Sequence, residues 1–264
     1  MEFRNLQVGT VLPTLRLTVS PAANERYWAS AGVEHRLLRG GALYPPIAAN
    51  LTVLLVQQVS PGALLHTEEA LASVAGSAAG GELAVTGTVA DAFEKRARDY
   101  LVVDAEVAAG PTTLWRSRAT FTPTGARPRP TTDGGRAARP RPEHAPFPDD
   151  APRRSLALTA DALRAYSRSG NFHSDPDEAR RLGMPGLVAQ GMQVCGPAYG
   201  VLLDAWGDDF LERGGLTARF VGMVVDGQTI EAAVINDGTR ARFEVRDEED
   251  RVVAFGTARR RCDA

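Results

Sequence analysis

The chain is 264 residues long and 44% hydrophobic, and it carries 30 Lys and Arg against 32 Asp and Glu, a net charge of -2. Such a length fills one large core or two of about 120 residues each, and the balanced charge excludes a broad electrostatic footprint for nucleic acid or an anionic membrane. No run approaches the ~20 apolar residues that span a bilayer, and the opening MEFRNLQVGTVLP lacks the basic head and apolar core of a secretory signal, so a cytoplasmic folded protein is expected.

In chain order, LRLTVS alternates as a strand, and residues 21–31 read as a short helix with Pro21 at its opening. A double proline then precedes an apolar segment, in ALYPPIAANLTVLLVQQV, that ends near Gln58. After it the pattern changes. LASVAG, GELAVTGTVADAFEK, DYLVVDAEVAAG and TLWRSRATFTP alternate or run β-branched between turns, which predicts one helix laid against an antiparallel sheet. Lys95, Arg96 and Arg98 fall at a charged hairpin and read as an exposed turn rather than as phosphate ligands. Residues 124–154 are dense in Pro, Arg, Gly and Asp and nearly free of large aliphatics, so they read as a linker between a first domain, 1–123, and a second, 155–264.

The second domain repeats the plan of the first. LALTADALRAYSRSG matches LRLTVSPAANERYWASAG in order and spacing, a strand leading into a short helix that ends at Gly. Asp175, ahead of Pro176, reads as the N-cap of a further short helix. A long helix follows, on which Val188, Met192, Cys195, Tyr199, Leu202 and Trp206 form one stripe. Small residues between them (Ala189, Gly191, Gly196, Ala198, Gly200) permit close approach of another backbone, and Pro197 should kink the helix. Strands are expected at GLTARFVGMVV, QTIEAAVIND, TRARFEVRDE and VVAFGTARR. Cys195 reads as core; with Cys262 it suggests reduced thiols rather than a disulfide. Cys and His show no metal-ligand spacing and no Gly-rich phosphate loop follows a strand, so neither metal nor cofactor is expected.

Several of these stretches together carry a resemblance. A polar loop with His173, the D-P-x-x-A turn from Asp175, the G-x-P-G-x-V-A-x-G-M entry from Gly183 to Met192 and R-F-x-x-x-V-x-x-G-x-T from Arg219 are similar to the MaoC-like hydratases and dehydratases. The first domain, through ALYPP and GTVADAFEKRARDYLVVDAEV, resembles the degenerate N-terminal dehydratase half of two-domain members. The resemblance covers nearly all of the chain outside the linker. It implies an α+β double hot-dog, two antiparallel sheets each wrapped around one long helix and joined edge to edge. One chain would then imitate the family's homodimer, and a homodimer of the chain is also open.

The resemblance also implies chemistry. Such proteins add or remove water across the α,β bond of acyl groups held as thioesters of coenzyme A or an acyl carrier protein. Their S-G-D-x-N-P-x-H loop holds the water, and a backbone N–H at the helix mouth stabilises the charge that develops on the thioester oxygen. Carried over, His173 matches the catalytic histidine, and Gly191, in a QGM where members usually have HGM, matches the oxyanion donor. Tyr44, Tyr166 and Gln190 are the expected substrate-binding residues, with residues 44–50 lining an acyl tunnel at the seam of the two domains.

The loop departs from the family pattern at Ser169-Gly170-Asn171-Phe172-His173, which is shorter and lacks the N-P pair. Aligned on Ser-Gly, Asn171 stands at the Asp position; aligned on the histidine, Arg168 does. An asparagine can orient water but cannot take its proton. Asn171 is therefore a candidate catalytic residue or a turn former beside Gly170, and an Asp there would restore the pair if the loop keeps its place. His35, His66 and His144 receive no role. Two functions follow: an enoyl-thioester hydratase or 3-hydroxyacyl-thioester dehydratase with an altered acid/base dyad, or a hot-dog protein that binds an acyl thioester or polyketide-like substrate without hydration, as cyclase, isomerase or non-catalytic subunit.

Overall fold

A computed structural model describes residues 3–124 and 146–261. His144, Cys262 and most of the expected linker lie outside the described residues. The first half runs β1 (Val11–Thr18), α1 (Pro21–Ser30), α2 (Arg36–Arg39), α3 (Ile47–Gln57), β2 (Leu64–Ser73), β3 (Glu82–Lys95), β4 (Arg98–Ala109) and β5 (Thr112–Pro123). The second runs β6 (Arg153–Ala157), α4 (Ala160–Tyr166), α5 (Pro176–Arg181), α6 (Gly191–Val194), α7 (Gly196–Trp206), α8 (Asp208–Arg213), β7 (Gly215–Phe220), β8 (Thr229–Asn236), β9 (Arg240–Asp247) and β10 (Val252–Arg259).

The duplication expected from the sequence is visible in the topology. All ten described strands form one sheet in the order β1-β3-β4-β5-β2-β7-β10-β9-β8-β6, so each half repeats the same five-strand order and the halves meet where β2 pairs with β7. Every described pairing is antiparallel. Local construction repeats as well. Ser20 caps α1 by accepting from the Ala23 N–H at 3.2 Å, and Thr159 caps α4 by accepting from the Ala162 N–H at 3.1 Å. An isolated bridge, Ala42 to Ala78, recurs as Val188 to Val225. Helix α3 packs on the five strands of its half, and α7 lies on β6, β8 and β9.

The central helix of the second half differs from its expected form. It begins at Gly191, not near Val188, because Val188 is held in its bridge and the Leu187 N–H donates to Asp226 Oδ1 at 2.7 Å. It then breaks at Cys195 into α6 and α7. Pro197 accounts for the break: it has no N–H for the Gln193 carbonyl one turn earlier. The small residues do admit another backbone, since a Cβ on Gly196 would lie 2.1 Å from the Ala31 carbonyl oxygen at the end of α1. Aromatic rings close the same seam edge to face, Tyr27 on Tyr166 at 5.1 Å and Tyr44 on Tyr199 at 5.4 Å. Strand β2 is longer than the expected LASVAG, because the polar HTEE that precedes it is also strand. Asp175 caps α5 as expected, accepting from the Asp177 and Glu178 N–H groups.

Candidate active site at the seam

A cavity of about 640 Å³ opens between the halves. The first half supplies Asn50, Val53, Leu54 and Gln57 from α3 and residues 64–67 of β2; the second supplies the loop 170–173, residues 188–192 and the end of β7. Among the described residues no helix is long and apolar enough to cross a membrane.

His173, Asn171, Gln190 and Gly191 all line this cavity. His173 is half-buried, and its Nδ1 lies 2.6 Å from the Val188 carbonyl oxygen, which fixes Nδ1 as the protonated nitrogen and leaves Nε2 with the lone pair. Burial pushes its pKa down to about 4; the Val188 carbonyl opposes this and the Arg168 charge adds to it. The imidazole is therefore neutral at ordinary pH. Gly170, with φ +75°, turns the chain ahead of it. Asn171 Oδ1 accepts the His173 N–H at 2.9 Å, while Nδ2 donates to the Arg168 carbonyl and to Ser167 Oγ, each at 3.1 Å.

Gly191 is the first residue of α6, so its N–H has no acceptor within the helix, and Gln190 ahead of it makes no capping bond. A Cβ on Gly191 would lie 2.7 Å from the Phe220 ring, so the ring needs a glycine there. Buried Gln193 fixes the helix mouth by donating to the carbonyls of Ser30 at 3.1 Å and Ala162 at 3.0 Å.

Tyr44 and Tyr166 are placed elsewhere. Both are fully buried in the seam, away from the cavity lining, and their hydroxyls have no hydrogen-bond partner among the described residues. Burial raises both phenols well above their usual range, so they stay protonated. Of residues 44–50, Asn50 reaches the cavity. Cys195 is core: burial, then the nearby Glu69 charge, push its thiol up, against a nucleophilic role. His35 Nδ1 caps α2, accepting from the Leu37 N–H at 3.4 Å.

Two features differ from the sequence reading, which put Arg98 in an exposed turn and gave His66 no role. Arg98 and Arg168 stand at the cavity with Arg181, and Arg168 also donates to Gln57 Oε1 at 2.6 Å across the seam. His66 lines the cavity too, with Glu69 fully buried behind it. The signal was HTEE itself, two acids and a histidine opening an otherwise apolar strand.

Two sheets wrapped on central helices and joined edge to edge define a hot-dog fold. Residues 146–257, most of the second half, match the family model described as the MaoC like domain. HtdX from Mycobacterium tuberculosis superposes with a TM-score of 0.71 at 19% identity, over 93% of this chain and 98% of that one. The full-length peroxisomal multifunctional enzyme type 2 from Drosophila melanogaster gives 0.73 at 20%, over 94% of this chain and 48% of that one. A MaoC-like dehydratase from Phytophthora capsici gives 0.70 at 16%, over 96% of each chain. At these identities the likeness is one of fold. No curated protein matches by sequence.

Proposed function

We propose that this chain is a hydro-lyase that adds water to, or removes it from, an acyl thioester of coenzyme A or an acyl carrier protein. The observation that carries the reading is His173: a neutral imidazole, pinned through Nδ1 to Val188, at a cavity it shares with the Gly191 amide. Nε2 is then the base that takes a proton from water in hydration, and it returns one to the leaving hydroxyl in dehydration. The Gly191 N–H, at a helix mouth three residues beyond Val188, is the donor to the thioester oxygen as negative charge develops there. Both residues fall within the span that matches the MaoC like domain.

The first half, 1–123, serves on this reading as a wall and a brace. At the mouth of α3 the first N–H, that of Ile47, is taken by the Tyr44 carbonyl at 3.1 Å, and Pro45 and Pro46 ahead of it have no N–H, so this end has no free donor for an oxyanion. Tyr44 and Tyr166 hold the seam, while Gln190 meets the acyl group. Arg98, Arg168 and Arg181 suit the phosphates of a carrier. The acid/base pair is altered from the family pattern, because Asn171 commits its amide to its own loop.

Mixing the protein with a short enoyl-CoA is expected to bleach the enoyl ultraviolet absorbance, and His173→Ala is expected to slow this roughly a hundredfold to ten-thousandfold. Saturable binding without bleaching, in the wild type, would instead establish a non-hydrating binder.

A further inference from the structure

We propose that His66, braced by Glu69, is the second proton-transfer residue of the seam cavity, working on the acyl thioester opposite His173. The inference rests on the thioester reading above. It starts from strand geometry: residues three apart on a regular strand face opposite sides of the sheet. Here His66 pairs with Phe121 and Glu68 with Thr120, so Thr67 is an extra residue, and its Oγ1 donates to the Thr120 carbonyl at 3.1 Å. The bulge returns Glu69, opposite Ala119, to the face of His66.

The consequence is a buried polar chain. Glu69 Oε2 lies 3.0 Å from His66 Nε2, without the alignment of a hydrogen bond. Ser117 Oγ donates to Glu69 Oε1 at 2.7 Å, Thr52 Oγ1 lies 3.1 Å from Ser117 Oγ, and Thr52 also reaches the Ala48 carbonyl at 3.0 Å. Glu69, Ser117 and Thr52 are all buried, and no Arg or Lys pairs with Glu69 among the described residues. A buried carboxylate that faces a histidine and no Arg or Lys is costly to keep for packing alone. It is the arrangement that orients an imidazole and stabilises its protonated form.

The ring is in the right place. His66 lies 5.0 Å from Phe220, centroid to centroid, and Phe220 packs directly on Gly191. With Nε2 turned to Glu69, Nδ1 is the nitrogen left for a ligand. In hydration, His173 Nε2 takes a proton from water, the hydroxide oxygen bonds to the β carbon, and the π electrons move through the α carbon toward the thioester oxygen. Protonated His66 then delivers its proton to the α carbon. His173 ends protonated and His66 neutral, and exchange with solvent resets both; dehydration runs the same steps backwards.

The test uses the full chain with a short enoyl-CoA as substrate and a saturated acyl-CoA as binding probe. His66→Gln is expected to lower kcat roughly a hundredfold or more while KM and saturated acyl-CoA binding stay within about threefold. Glu69→Gln, which keeps the Ser117 contact, is expected to lower kcat and to move the alkaline limb of the pH profile to lower pH, since a general acid works only while protonated. The other ionisable groups facing the cavity are Tyr27, Arg98, Arg168, His173, Glu178 and Arg181, and Tyr166 and Cys195 feel the Glu69 charge; all are unchanged in both variants. Wild-type kcat in His66→Gln, or loss of binding in step with activity, would overturn the proposal while leaving the His173 reading intact. Should His66→Gln fail to fold, an unmoved alkaline limb in Glu69→Gln overturns it. A wild type that turns over no enoyl thioester removes both readings together.

Discussion

The side-chain amide of Asn171 is fully engaged by its own loop, and of the two outcomes open for a carboxylate at that position this favours a loss. Nδ2 donates to the Arg168 carbonyl, so in Asn171→Asp two oxygens would face each other across 3.1 Å. The lost bond and the repulsion are expected to cost about 1–3 kcal/mol of stability and to lower activity, as the backbone contact that sets His173 loosens; denaturant titration beside the enoyl-CoA assay checks both. His173 itself predicts a pH dependence. Its pKa falls from the usual 6.5 unfolded to about 4 folded, so between these values the unfolded chain binds more protons and stability rises with pH. Acidifying from pH 7 to pH 4.5 is expected to remove on the order of 2 kcal/mol through this residue, and His173→Gln to abolish that part of the slope, read by urea titration at both pH values. His173 and Gly191 were legible as candidates because their motifs are local, a few residues on either side of each. His66 and Glu69 were not, because only a bulge, set by pairing with a strand some fifty residues away, puts them on one face.

Helices and strands were legible in kind wherever periodicity ran uninterrupted, and their limits were not wherever a tertiary bond intervened. The stripe from Val188 to Trp206 is buried throughout, yet its first residue, Val188, is bridged to Val225 and bound to His173 instead of standing in a helix. The same holds for β2, whose polar start lies ahead of the expected LASVAG and is strand through its pairing with β5 and β7. The hairpin joining β3 to β4 carries a prediction of its own. Its two turn residues, Arg96 and Ala97, have φ of 54° and 55°, the left-handed conformation that two-residue hairpins require and that Asn-Gly usually fills. Phe93 stacked on Tyr100 at 5.2 Å holds the arms together above it. Ala97→Gly relieves a left-handed cost of about 1–2 kcal/mol against about 0.5–1 kcal/mol of extra unfolded-chain entropy, so a gain of about 0.5–1 kcal/mol is expected. A lower unfolding midpoint in this variant would show that the turn takes another form in solution.

At the scale of the molecule the two halves share too much to be independent. Their sheets are continuous through β2 and β7, in register from Glu68 opposite Arg219 to Ala72 opposite Gly215. Gly196 sits against the backbone of Ala31, Gln193 ties α6 to both α1 and α4, and two aromatic pairs cross the seam. Separated, each half would expose the whole edge of β2 or β7 together with fully buried rings such as Tyr44 and Tyr166. The cavity would be lost as well, since His173 comes from one half and Asn50 and His66 from the other. Co-expressed as two chains, 1–124 and 146–264, the halves are therefore expected to purify as a one-to-one complex that keeps enoyl-CoA turnover, because the β2–β7 pairing, the Gln193 bonds and the aromatic pairs join the two pieces directly. Either piece made alone is expected to aggregate or to pair with itself along the bare edge, without activity. Trp28 and Trp115 report on one half and Trp206 on the other, so coincident fluorescence and far-ultraviolet transitions in the intact chain would confirm a single cooperative unit. Two resolved transitions, or a soluble active monomer of 146–264, would show instead that the second half is complete without the first.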